Sequence, residues 1–167
     1  MRGFWSYARN DNKSCKISIL KDAFEQTLIE VTGDEVDIYM DTTHIHWGEE
    51  WENAIKSNIA ISDFFIAILS PSYFKRHHCL LEFELAIQHN VGIFPLYYRK
   101  TPDLEGEENK KNEKAIEIAS AVAKMQYRDF RPLRNKIIAS EEAQNFLDLI
   151  TEELANEYAR VNQQESL

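Results

Sequence analysis

The side chains with the most chemical capacity fall into a few short clusters. Glu82 anchors the first. On a helix it shares a face with Lys75, His78 and Cys79, and with Leu85 and Ala86 beyond, whereas Glu84 points nearly the opposite way. One of the two acids can therefore face a cleft while the other meets solvent or a neighbouring element. A carboxylate fixed in a partly dry cleft stabilises positive charge that develops on a reacting atom. Arg9 follows the first apolar run, Phe4-Trp5-Ser6-Tyr7. Its guanidinium suits two-pronged contact with phosphate, and its plain alternative is a solvated loop cation. His77, His78 and Cys79 are consecutive, so on a helix they cannot converge on one ion. His44 and His46 are a loop pair without further ligands. No metal site is expected.

Other chemistries lack their residues. The glycines at 3, 33, 48, 92 and 106 form neither Gly-x-Gly-x-x-Gly nor a phosphate-binding loop, which removes support for dinucleotide redox binding and for nucleoside triphosphate hydrolysis. There is no Gly-x-Ser-x-Gly elbow. The net charge of −9 argues against a nucleic-acid surface. The longest apolar run, near Phe64 to Leu69, is too short to span a membrane. The N-terminus shows no apolar leader, and Cys15 and Cys79 lack a disulfide framework. These features predict a cytoplasmic protein with free thiols.

The elements that must position these residues alternate. Residues 3–7 read as a strand, and 14–31 as a helix carrying Ile17, Leu20, Ala23, Phe24, Leu28 and Val31 on one stripe, stopped at Gly33. Residues 35–40 read as a strand ending at Asp41, 42–50 as a loop, and 50–60 as a helix with Trp51, Ala54, Ile55 and Ile59 on one side. Residues 63–69 are apolar throughout, as a central parallel strand is. Ser70-Pro71 predicts an N-cap and first turn of a helix running to about Asn90. A strand over 91–98, a loop over 99–114, a helix over 112–123, a short strand near 125–130 and a helix over 140–160 follow. This predicts a single α/β domain over 1–160, a five-stranded parallel sheet with helices on both faces, and a polar tail over 161–167. Ligands bind outside the carboxyl ends of such strands. That rule points to Tyr7–Asp11, Asp41–Trp51 and Ser70–Glu82. The third strand ends in Ser70-Pro71 rather than the Asp of a phospho-accepting receiver.

At these strand ends the chain resembles the Toll/interleukin receptor (TIR) domain family. Phe4 to Asp11 looks like its opening box, and Asp41, Ile45, Trp47-Gly48 and Trp51 like its assembly loop. Ser62 to Phe74 is similar to its third strand and turn, and Cys79-Leu80-Leu81-Glu82 followed by Pro95 matches its catalytic helix and fourth strand. The resemblance covers residues 3–130 in order. It implies a flavodoxin-like TIR fold of bacterial type, judged by Phe-Trp-Ser-Tyr and Ile-x-Trp-Gly.

The resemblance also implies an activity: cleavage of the nicotinamide–ribose bond of NAD+, with Glu82 as the catalytic carboxylate. NAD+ is then substrate, and no cofactor is needed. The substrate-binding set it implies is Ser6, Tyr7, Arg9, Asp41, Trp47, Ser70, His78 and Cys79. Tyr7 is equally a core residue, and His78, where many NAD-cleaving relatives carry a Trp, is equally an exposed helix histidine. Trp51 reads as core and Trp47 as an exposed interface residue. Family members become active when copies assemble, and in bacteria they serve anti-phage defence, some making a signal for a separate effector. The product depends on whether water, the adenine ring or another molecule reaches the ribose. The alternatives are a TIR adaptor that acts only by binding other TIR domains, and an effector that mimics host TIR domains. Adaptors commonly lack the acid that Glu82 supplies here.

Overall fold

The computed structural model describes residues 1–43, 47–106 and 112–166. Five strands form one sheet: β1 (Arg2–Ser6), β2 (Asp37–Met40), β3 (Phe64–Leu69), β4 (Gly92–Tyr97) and β5 (Arg128–Asp129). All pairings are parallel and the order is β2-β1-β3-β4-β5. The flavodoxin-like α/β architecture is therefore the one expected. Among the described residues five α-helices connect or flank the strands: α1 (Lys16–Thr32), α2 (Glu49–Ala60), α3 (His77–Gln88), α4 (Glu113–Ala123) and α5 (Glu141–Glu165).

Alternation along the strands builds two cores. In β3, Phe65, Ala67 and Leu69 face α2, α3 and α4, while Phe64, Ile66 and Ile68 face α1 and α5. Every residue of β3 is buried, which is why its sequence shows no polar alternation. On the first face Phe4 stacks on Phe65 with ring centroids 5.4 Å apart. On the second, Trp5 meets Phe24 of α1 edge-on at 5.7 Å. Gly3 lies opposite Phe64 in the register, and a Cβ there would collide with that ring.

Helix ends follow local chemistry. Gly33 adopts φ +70° and its N–H closes α1 on Ile29. Asn112 caps α4, and Ser140 caps α5. Helix α5 buries Ala143, Leu147, Ile150 and Leu154 and continues through 161–165, where a tail is expected from the sequence.

One expected helix start is displaced. Ser70 does act as a cap, since its Oγ accepts from the Tyr73 N–H at 3.2 Å, but it caps only a turn. A single 3-10 turn spans Tyr73–Lys75, Arg76 is extended, and α3 begins at His77. Both aromatics of this turn, Tyr73 and Phe74, are buried, and the extended Arg76 separates the turn from α3. Lys75 is therefore not on the helix that carries Glu82. The final strand is likewise shorter than the expected 125–130, two residues paired with Leu96 and Tyr97. Among the described residues, no helix is long and apolar enough to cross a membrane.

Candidate active site

The carboxyl ends of β1, β2 and β3 meet the start of α3. Ser6 is the last residue of β1 and is fully buried. Its Oγ donates to Glu82 Oε2 at 2.5 Å and bonds the Tyr73 hydroxyl at 2.8 Å. Tyr7 donates its phenol to the Asp41 carbonyl at 2.8 Å. The Tyr7 carbonyl in turn accepts from Cys79 Sγ at 3.4 Å. Asp41, buried at the end of β2, accepts from the Thr43 N–H and from Trp51 Nε1, each at 3.0 Å. Trp51 is thus partly core, as its stripe suggests, and also ties Asp41 to α2.

On the other side of β1, Ser70 donates a short hydrogen bond to Asp11, which joins the end of β3 to the turn after β1. Arg76 donates to Asn10 Oδ1 at 3.0 Å in that same turn. Arg9 is half-buried and close enough to Tyr7 for its charge to oppose the rise in the phenol pKa. His78 is half-buried, with Nε2 3.5 Å from Cys79 Sγ.

Burial sets the electrostatics. Glu82 is only 3% exposed, and loss of solvent pushes its pKa from 4.5 to about 8, the Ser6 hydrogen bond opposing the rise and the Asp41 charge adding to it. Burial likewise raises Tyr73 and Cys79 well above their ordinary values. A thiol so raised is a poor nucleophile. Cys79 serves here as a small buried group that bonds the β1 backbone. Glu84 lies on the opposite side of α3, where it pairs with Lys114 of α4 at 2.7 Å.

The structure brings Glu82, Ser6, Tyr7, Asp41, Cys79 and His78 into one cluster, with Ser70 and Arg9 beside it. Trp47 takes part in none of these contacts and stands 78% exposed before α2. Ile45 and the pair His44 and His46 lie outside the described residues. Among the described residues no group of three or more His, Cys, Asp or Glu could hold a metal ion. Two members, Tyr73 and Asp11, lie in the stretches the strand-end rule points to but are not singled out by the sequence. Each is recruited by a residue more than fifty positions away.

Comparisons with known proteins bear on the fold. The chain overlays the TIR domains in the structure of the activated Roq1 resistosome directly recognizing the pathogen effector XopQ, with a TM-score of 0.61 and 19% identity over 91% of this chain and 98% of that one. A conserved protein from Enterococcus faecalis V583 overlays with a TM-score of 0.45 and 11% identity, over 96% of this chain and 98% of its own. No curated protein matches the chain. The TIR domain profile matches residues 4–150, from the first residues of β1 into α5, and the chain belongs to the TIR domain family.

Proposed function

We propose that this TIR domain cleaves the nicotinamide–ribose bond of NAD+, with Glu82 as its catalytic carboxylate. The observation that carries the reading is the setting of Glu82. It is a buried acid at the carboxyl edge of the sheet, acted on by a hydroxyl and a second acid rather than by a cation. An acid so placed costs stability, which marks a functional group more than a structural one.

In the proposed reaction the C1′–N bond breaks and both its electrons leave with nicotinamide, which departs neutral. The ribose gains oxocarbenium character. An ionised Glu82 stabilises that cation more than the ground state. The positive nicotinamide ring of the substrate also favours loss of the Glu82 proton on binding. Water at C1′ gives ADP-ribose, and the adenine ring gives a cyclic product. Arg9 is assigned to the phosphates, and Tyr7 and His78 to the rings. Ser6, Asp41, Ser70 and Cys79 are assigned to the wall behind them. Trp47, exposed in the single chain, is assigned to contact between TIR copies, in line with the assembled TIR domains of the Roq1 resistosome. The setting proposed is the cytoplasm of a bacterium, in anti-phage immunity, with any cyclic or conjugated product read by a separate effector.

One observation favours a second reading, an adaptor that acts only by binding other TIR domains: Glu82 is nearly sealed in the single chain. NAD+ turnover at high protein concentration, with and without a crowding agent, separates the two. Nicotinamide release that disappears in Glu82→Gln supports the enzyme. No release under any assembled condition supports the adaptor.

A further inference from the structure

We propose that Tyr73 is a positioning residue that acts through the Ser6 hydroxyl, holding Glu82 by Oε2 and leaving Oε1 as the oxygen that meets the ligand. The proposal rests on the reading of Glu82 as the catalytic carboxylate, and its argument is a count of protons. Ser6 has one hydroxyl proton, and it goes to Glu82 Oε2. The bond between Ser6 and Tyr73 must then use the Tyr73 proton, donated to Ser6 Oγ. Tyr73 O–H, Ser6 O–H and the carboxylate form a chain with one direction. Hydrogen bonds in series polarise one another, most strongly away from water.

The reverse direction is disfavoured. If a neutral Glu82 carried its proton on Oε2 and donated to Ser6, Ser6 would donate to Tyr73. The Tyr73 proton would then need another acceptor. Tyr73 is fully buried, and among the described residues its hydroxyl bonds only Ser6. A stranded buried donor costs about 1–3 kcal/mol. The chain therefore keeps its direction in both states, and the Glu82 proton resides on Oε1. Among the described residues Oε1 has no hydrogen-bond partner, but unlike the Tyr73 hydroxyl it is not sealed from solvent, so water can meet a proton there. Oε1 thus loses its proton toward the ligand, and a ribose hydroxyl can take its place.

The groups facing Glu82 come from every neighbouring element: Ser6 at the end of β1 and Tyr7 just past it, Tyr39 of β2 and Asp41 just past it, Tyr73 from the turn before α3, and Cys79 from α3 itself. Of these, Ser6 is the one whose hydrogen bond favours the ionised form.

The test follows the Glu82 carboxyl directly, by carbon-13 NMR of labelled glutamate without NAD+, against pH. The line is assigned by its loss in Glu82→Gln. Ser6→Ala is expected to raise the titration midpoint by about 1–2 units, the loss of a hydrogen bond to a charged group. Tyr73→Phe is expected to raise it by about half a unit, as the Ser6 bond weakens. Placing 3-fluorotyrosine at position 73 makes the phenol a stronger donor, so the midpoint is expected to fall. That replacement keeps the ring and guards against a Phe variant that does not fold. In turnover, Tyr73→Phe lowers kcat with KM little changed and moves the pH profile by the same amount as the titration. Folded variants that titrate as the parent protein overturn the proposal. Titrations that shift in a protein that cleaves no NAD+ uphold the chain of hydroxyls and overturn the enzyme reading alone.

Discussion

Two acids on α3, two residues apart, meet opposite fates. Glu84 sits between α3 and α4, partly exposed, with Lys114 at 2.7 Å. Glu82 sits at the ends of β1 and β2, almost sealed, with a hydroxyl for a partner and Asp41 nearby. Helical geometry separates them, since residues two apart differ by about 200° around the axis. The consequence is chemical. Glu84 is a solvated charge in an ordinary pair. Glu82 keeps its proton to about pH 8, a value that a cationic ligand can move across neutrality.

The largest effect that would sharpen this contrast is on turnover. Glu82→Gln is expected to lower NAD+ cleavage by at least about 10²–10³-fold, the scale for removing one preorganised charge-stabilising group. Glu84→Gln is expected to stay within about twofold of the parent, because its side chain faces α4. Equal losses in the two variants, measured as nicotinamide release, would break the comparison.

The next effect is on stability. Folded Glu82 holds its proton to about pH 8, whereas the unfolded chain releases it near 4.5. Folding therefore takes up a proton between those values, and stability falls as pH rises through the window. Glu82→Gln removes this dependence. Its stability relative to the parent is expected to improve by on the order of 4 kcal/mol between pH 4.5 and pH 8, then stay level. Chemical denaturation of both proteins across that range measures it. A constant difference would show that Glu82 titrates normally in the folded state.

A smaller effect concerns the rate profile. If the ionised form is the active one, kcat/KM is expected to rise about tenfold from pH 7 to an alkaline plateau, with a midpoint near 8. The profile of kcat is expected to lie at lower pH, because the bound cation favours the carboxylate. A kcat/KM profile flat across that range would remove Glu82 from the titrating role. The smallest effect is at Lys114. Lys114→Ala is expected to leave turnover and the denaturation midpoint nearly unchanged, since exposed pairs contribute little. A large loss there would mean that α4 braces α3 through this pair.

The sequence carried the fold well where its signal is local. Continuous apolarity from Phe64 to Leu69 announced a strand with helices on both sides, and Gly33 announced the end of α1. The order of strand ends points to Tyr7–Asp11, Asp41–Trp51 and Ser70–Glu82, stretches that share one edge of the sheet. What stayed hidden depends on contacts between distant residues. The turn at Tyr73–Lys75 stands where the sequence predicts the start of a helix, with its Tyr73 hydroxyl held by Ser6 of β1. The bond from Ser6 to Tyr73 spans 67 positions, and periodicity within a window cannot report it. The pKa of Glu82 is likewise a property of its walls, drawn from the ends of two strands, a turn and α3.

Gly3 bears on how the sheet finds its alignment. Parallel neighbours have no hairpin between them to set their offset, so something else must. Opposite Gly3, the ring of Phe64 fills the space that any other side chain would claim. Sliding β1 one place either way would bring Arg2 or Phe4 to that spot, with a Cβ where the ring now lies. The glycine thus works as a notch and the phenylalanine as its key. An alignment that puts another residue opposite Phe64 must displace that ring, which favours the alignment that delivers Ser6 to Glu82.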